Sequence, residues 1–286
     1  SGGRFARSGA RPGRPAWPPP APPDGVGDAG GWDRSAERYD RVLAANRRGA
    51  WRLVRSLPER AFERVLDVGC GTGFATEAMV AIRGTRRAVG VDPSREMTER
   101  FMARIGELGV EAEAHVRDVM AMPVPEGWAD AVVSTMAYHW FPDKPAAVAE
   151  MALRARPGGA VGILGSGRGT DREYRDLLAS LDPPVPSRLV DIYDELQRDE
   201  RELEDDLERA GLRVLDVWME RRRGRIPVDE FLARKDATTG HMLDDLPEDE
   251  RRATWERIAA AVRAAAGPEG FAYTFCKLYG VAERPV

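Results

Sequence analysis

Residues 64–73 read RVLDVGCGTG, and this stretch decides the fold. Val65, Leu66 and Val68 form a short apolar run with β-branched residues, the pattern of a parallel strand buried on both faces. Asp67 interrupts the run just before the chain turns. Gly69, Gly71 and Gly73 then alternate with Cys70 and Thr72, and residues 74–82 (FATEAMVAI) place Phe74, Ala78 and Met79 at helical spacing. Strand, glycine turn and helix make the opening half of a nucleotide-binding βαβ unit.

The glycine spacing separates the possible nucleotides. A dinucleotide turn needs G-x-G-x-x-G to bring a pyrophosphate to the helix N-terminus, whereas this turn is G-x-G-x-G. No Lys-Ser or Lys-Thr pair follows, as a P-loop requires. Asp67 offers a carboxylate suited to an ammonium group, not to a phosphate. VLDVGCGTG resembles the first motif of class I S-adenosylmethionine-dependent methyltransferases. The resemblance implies that Asp67, Gly69, Cys70 and Gly71 bind S-adenosylmethionine, with S-adenosylhomocysteine as product.

Further motifs follow in the order that this family implies. Residues 87–92 (RAVGVD) read as the second strand, and Asp92 lies about 20 residues past the turn, where a carboxylate accepts both ribose hydroxyls. Pro93 and Ser94 open the next helix, with Ser94 as N-cap. Residues near Met97 pack on adenine in the family. After a third strand over residues 111–116, Asp118 and Val119 are the expected partners of the adenine amino group and ring. His115, inside that strand, reads as a buried, hydrogen-bonded histidine.

Residues 129–135 (ADAVVST) give the fourth strand, whose end, at Ser134 and Thr135, should border the transferred methyl group. The following MAYHWFP resembles the His-Trp-Phe turn of the quinone and trans-aconitate methyltransferases. Met136 stands where many of those enzymes have Gln. Tyr138 and His139 are the catalytic candidates nearest the expected reaction centre, although recurrence of this turn beside different acceptors argues for a packing role. No cluster of metal ligands stands near the strand, so no metal is expected.

Outward from this centre, residues 1–31 are rich in Gly, Pro and Arg and read as a disordered extension, leaving 32–286 as one domain. A helical pattern runs over residues 33–57, and the helix that related methyltransferases carry here across the cofactor pocket makes Tyr39 either a cover for the methionine end of the donor or an aromatic anchor onto the core. Residues 191–210 read as one charged helix and 212–218 as the sixth strand, extended through the RRRGR run. Residues 228–238 and 248–266 are expected helices, and 271–282 an antiparallel strand at the sheet edge. The expected fold is α/β, a Rossmann-like doubly wound sheet of seven strands, mostly parallel with the last antiparallel. A helical lid would come from residues 33–56 and 166–210.

Composition narrows the partners. A net charge of −4 gives no electrostatic case for nucleic acid or an anionic membrane. With 2 cysteines a disulfide framework is excluded, and a reducing cytoplasm is expected. Only Lys144, Lys235 and Lys277 interrupt an otherwise arginine-only set of cations, the bias of GC-rich bacterial genomes. The expected activity is methyl transfer to a small-molecule thiol, phenol or other hydroxyl, in bacterial natural product biosynthesis, by a monomer or homodimer. An NAD(P)-dependent oxidoreductase is the alternative on the same architecture, opposed by the glycine spacing and by the lack of a Tyr-x-x-x-Lys pair. A non-catalytic relative is opposed by the intact Asp67, Gly69, Gly71, Asp92 and Asp118.

Overall fold

The computed structural model describes residues 44–286, so the segment 1–31, Tyr39 and the first part of the expected helix 33–57 lie outside the described residues. The first strand, β1 (Arg64–Val68), lies between β2 (Arg87–Asp92) and β4 (Ala129–Thr135), and β3 (Glu111–Val116) flanks β2. β5 (Ala155–Ser166), β7 (Phe271–Glu283) and β6 (Arg213–Ile226) complete a seven-stranded sheet in the order 3-2-1-4-5-7-6. Strands one to five pair in parallel, and β7 runs antiparallel to both β5 and β6.

The alternation of β1 assigns the two faces. Val65 packs with α1 (Ala44–Ser56) and α2 (Phe74–Arg83) through Ala50, Leu53, Val54 and Met79. Leu66 and Val68 point the other way, into a core shared with Val148 and Met151 of α4 (Lys144–Arg154) and, further along the sheet, Leu203 and Leu207 of α7 (Glu200–Arg209). Burial on both faces is what the apolar residues of this strand demand. On the first face, Phe101 and Ile105 of α3 (Arg95–Gly106) close over Cys70 and Ala88.

A separate core lies beyond the sheet. Tyr174 and Leu178 of α5 (Arg172–Ala179) and Leu189 and Tyr193 of α6 (Arg188–Leu196) pack with Phe231 of α8 (Val228–Thr239) and Ile258 of α9 (Glu248–Ala265). The expected lid segment 166–210 is therefore divided: α5 and α6 join α8 and α9, while α7 packs on the sheet. Among the described residues no helix is long and apolar enough to cross a membrane.

Three expectations need correction. The closing strand does not lie at the edge: β7 enters between β5 and β6, and β6 is the edge, with Arg221, Arg222 and Arg223 exposed. The expected helix 191–210 is two helices. Gln197 leaves the helical path to accept from the Gly169 N–H (2.8 Å) and donate to the Thr170 carbonyl (3.0 Å). Asp199 and Glu202 then start α7 with a reciprocal capping box, so local side-chain bonds outcompete helix continuation. His115 is half-exposed, not buried, 3.5 Å from Glu113.

The approach of β7 to the end of β6 depends on Gly270, which has φ 106°. A Cβ there would stand 2.0 Å from the Ile226 carbonyl oxygen. Gly270→Ala should therefore destabilise the protein by about 2–4 kcal/mol, adding left-handed strain to a backbone overlap. Urea denaturation measures this; an unchanged midpoint would show that the turn relaxes freely.

Candidate functional site

Beyond the carboxyl ends of β1, β2 and β4, the turns enclose a cleft with about 950 Å³ of space, its open mouth included. Such a crevice is where doubly wound sheets hold ligands. Gly69, Gly71 and Gly73 all have positive φ, at 65°, 49° and 92°. Gly69 permits close approach of the first turn to the fourth-strand turn, since a Cβ there would meet the Ala137 Cβ at 2.2 Å. Gly71 instead faces open space: it lines the cleft, and a Cβ would find no atom within 4 Å.

Asp92 ties the first two turns together. Its Oδ2 accepts from the Gly71 N–H at 2.9 Å and its Oδ1 from the Ser94 N–H at 2.9 Å. Ser94 caps α3 by accepting from the Met97 N–H at 3.2 Å, which fixes Met97 against the cleft. Asp118 caps the short 3-10 turn at Val119–Ala121 by accepting from the Met120 N–H at 2.8 Å. Asp92, Pro93, Met97, Asp118, Val119 and Thr135 all line the cleft with Gly69, Cys70 and Gly71.

Asp67 and Ser134 do not line it. Asp67 is fully buried on the α2 side of β1, where its Oδ2 accepts from the Thr76 hydroxyl (2.8 Å) and the Thr76 N–H (3.3 Å). Its second oxygen has no partner among the described residues. The alternation that sends Leu66 and Val68 to one face sends this carboxylate to the other, behind the turn. Ser134 is likewise buried, its hydroxyl without a partner.

A second chamber adjoins the first, with about 690 Å³ of space. Asn46, Met136 and Trp140 line both and so mark the junction. Met136 is held at φ 59°, a left-handed conformation uncommon for a side chain of its kind, by its N–H bond to the Leu164 carbonyl at 2.6 Å. Sequence reasoning missed Asn46, although a polar residue in register with Ala50 and Leu53 on a buried helix stripe was a readable signal.

The two catalytic candidates have different surroundings. His139 lines the second chamber, and its Nδ1 accepts from the Ser166 N–H at 3.2 Å. Burial, with Lys144 nearby, lowers its pKa to about 3, so the imidazole is neutral. Tyr138 lines neither chamber: its ring packs edge-on to Phe141 and its hydroxyl donates to Asp206 at 2.6 Å. Burial and the Asp206 carboxylate raise its pKa far above the ordinary phenol value. The structure thus places Tyr138 in the core, because the 3-10 turn at Tyr138–Trp140 rotates adjacent side chains to different sides.

The comparisons agree with this geometry. The family model described as Methyltransferase domain matches residues 65–159. A malonyl-[acyl-carrier protein] O-methyltransferase of Halorhodospira halophila is 34% identical over 166 residues, covering 57% of this chain and 56% of the relative. An uncharacterized methyltransferase of Geobacillus thermodenitrificans is 28% identical over 188 residues, 65% of this chain and 79% of the relative. The chain thus spans about half the length of the first of these relatives. The YcgJ protein of Bacillus subtilis shares the fold, with a TM-score of 0.57 and 20% identity over 84% of this chain and 99% of that one. Residues 65–159 thus match a methyltransferase domain, and the sheet order and glycine turn are those expected of the class I S-adenosylmethionine-dependent type.

Burial raises the Asp67 pKa to about 7, outweighing the Thr76 hydrogen bonds that lower it; Asp92 adds a smaller upward push. The folded protein therefore holds this proton where the unfolded chain has released it, and stability falls as pH rises from about 4 to about 7. Asp67→Asn keeps an acceptor for Thr76 and removes the charge. Relative to wild type, ligand-free Asp67→Asn should gain on the order of 3 kcal/mol between pH 4 and pH 8. Chemical denaturation across that range reads the difference; parallel pH profiles would disprove the shift.

Proposed function

We propose that this chain transfers a methyl group from S-adenosylmethionine to a heteroatom of a small molecule, a thiol, phenol or other hydroxyl, without a metal. The observation that carries the reading is the pair of chambers meeting at Asn46, Met136 and Trp140. In this reading the first chamber takes the donor. Asp92 receives the ribose hydroxyls, Met97 packs on adenine, and Asp118 with the Val119 N–H reads the adenine edge. The open space beside Gly71 fits a ligand passing close to the backbone. Asp67 acts from behind, holding the start of α2 through Thr76.

The donor, when bound, supplies a methyl group already activated by a sulfonium. The chain's part is then alignment: Met136 and Trp140 form the passage through which the acceptor heteroatom approaches the methyl carbon. Holding two reactants in line supplies about 7–11 kcal/mol of barrier reduction. His139, neutral and already accepting from Ser166, is a weak base. An acceptor that ionises readily, such as a thiol or an acidic phenol, suits this chamber, because it brings its own nucleophilic anion. The O-methyltransferase name of the Halorhodospira relative supports transfer to oxygen. Natural product biosynthesis in a bacterial cytoplasm is the setting we favour; the arginine-rich composition supports the bacterial source and the 2 cysteines a reducing compartment.

Calorimetric titration with S-adenosylhomocysteine should show binding to the wild-type protein and at least tenfold weaker binding to Asp92→Ala, which removes both the ribose acceptor and the link between the turns. No binding to wild type would end this reading. His139→Ala should lower turnover by about tenfold or less and leave S-adenosylhomocysteine affinity unchanged. A fall of several orders of magnitude in turnover, with affinity intact, would make His139 the base.

A further inference from the structure

Among the described residues, the second chamber is lined by one cation that no carboxylate pairs with. Among the described residues that line it, Asp171 alone is acidic. The Lys235 ammonium bonds the Asp171 Oδ2, with 3% and 6% of the two side chains exposed, so this pair cancels. His139 is neutral. Arg234 remains. Its guanidinium stacks over Phe275, 4.7 Å from the ring centroid, and lies 6.0 Å from that of Tyr273. Among the described residues no carboxylate pairs with it.

The stacking matters for what the group can still do. Ring contacts use the faces of a guanidinium, whereas its five N–H donors lie in its plane and match a two-oxygen anion. Lys277 lies 5.8 Å from the same Phe275 ring. Its pKa is pushed down to about 8 by burial, then held up by Glu220 against the opposing charges of Arg48, Arg222 and Arg234. Arg234 and Thr238, four residues apart on α8, both line the chamber, and the Thr238 hydroxyl donates to the Arg234 carbonyl at 2.9 Å, which leaves the guanidinium as the donor this face offers an anion.

We propose that the second chamber selects an acceptor bearing a carboxylate or phosphate, whose charge pairs with Arg234 while its nucleophile reaches the junction at Met136 and Trp140. Arg234 lines the second chamber and not the first, so the anion it holds is an anchor, set apart from the atom that receives the methyl group. This inference rests on the assignment of the first chamber to the methyl donor. The acceptor class it names is a thiol or phenol acid, in which neutral amides and esters of the same skeleton are poor substitutes.

The test uses the full chain saturated with S-adenosylhomocysteine and titrates benzoate, phenyl phosphate and benzamide by calorimetry. Benzoate or phenyl phosphate should bind at least tenfold more tightly than benzamide. Arg234→Gln should remove that preference, and Arg234→Lys should keep part of it, while S-adenosylhomocysteine affinity stays at the wild-type value in both. Tighter binding of phenyl phosphate assigns the anchor to a phosphate, tighter binding of benzoate to a carboxylate. Equal binding of all three probes, binding of none at millimolar concentration, or a preference that survives in Arg234→Gln overturns the proposal. If Arg234→Gln fails to fold, Arg234→Met keeps the stem over Phe275 and gives the same reading. Failure of wild-type protein to bind S-adenosylhomocysteine is a separate result, which removes the donor assignment itself.

Discussion

The two oxygens of Asp92 each accept a backbone N–H, one from the turn after β1 and one from the turn after β2. A buried carboxylate needs such donors, since desolvation without them costs several kcal/mol. The same donors belong to turns that have no internal way to satisfy them. The structure therefore depends on a mutual requirement: the charge is tolerable because the turns supply N–H groups, and the turns hold their shape because the charge is there. Met97, Gly71 and the mouth of the cleft take their positions from this bond pattern.

Much of this was legible in the chain. The strand–glycine–helix stretch and the acidic end of the second strand follow from local periodicity and spacing, Asp118 from the family resemblance, and the structure brings them to one cleft. Asp67 shows where spacing runs out. It stands two residues before the turn, yet side chains on a strand alternate, and this one points to Thr76. Tyr138 and His139 make the same point on a 3-10 turn, where neighbours in sequence are divided between core and chamber. The second chamber was hidden for another reason. Tyr193 on α6, Gln197 just past its end, Arg234 on α8 and Phe275 on β7 are spread over more than 80 residues, and only tertiary packing joins them.

The lysines illustrate how composition can carry more than bias. Lys144, Lys235 and Lys277 are all buried, at 5%, 2% and 9% exposure, in a chain whose remaining cations are arginines. Each has its pKa lowered, with burial the largest cause. A buried ammonium shifts its pKa readily and can release its proton, whereas a guanidinium stays charged and needs partners for five N–H donors. The interior therefore uses the scarce residue, and the surface uses the common one.

The place of β7 in the sheet also has a consequence during synthesis. β6 leaves the ribosome before β7, and its neighbour in the finished sheet is β7. Until Phe271 and its successors emerge, a strand of 14 residues waits with both edges unpaired, its arginine-rich half facing water. Arg221, Arg222, Arg223 and Arg225 repel the like-charged strand of any second nascent chain, so the run that reads as plain surface in the folded protein guards against mispairing in the seconds before the sheet is complete.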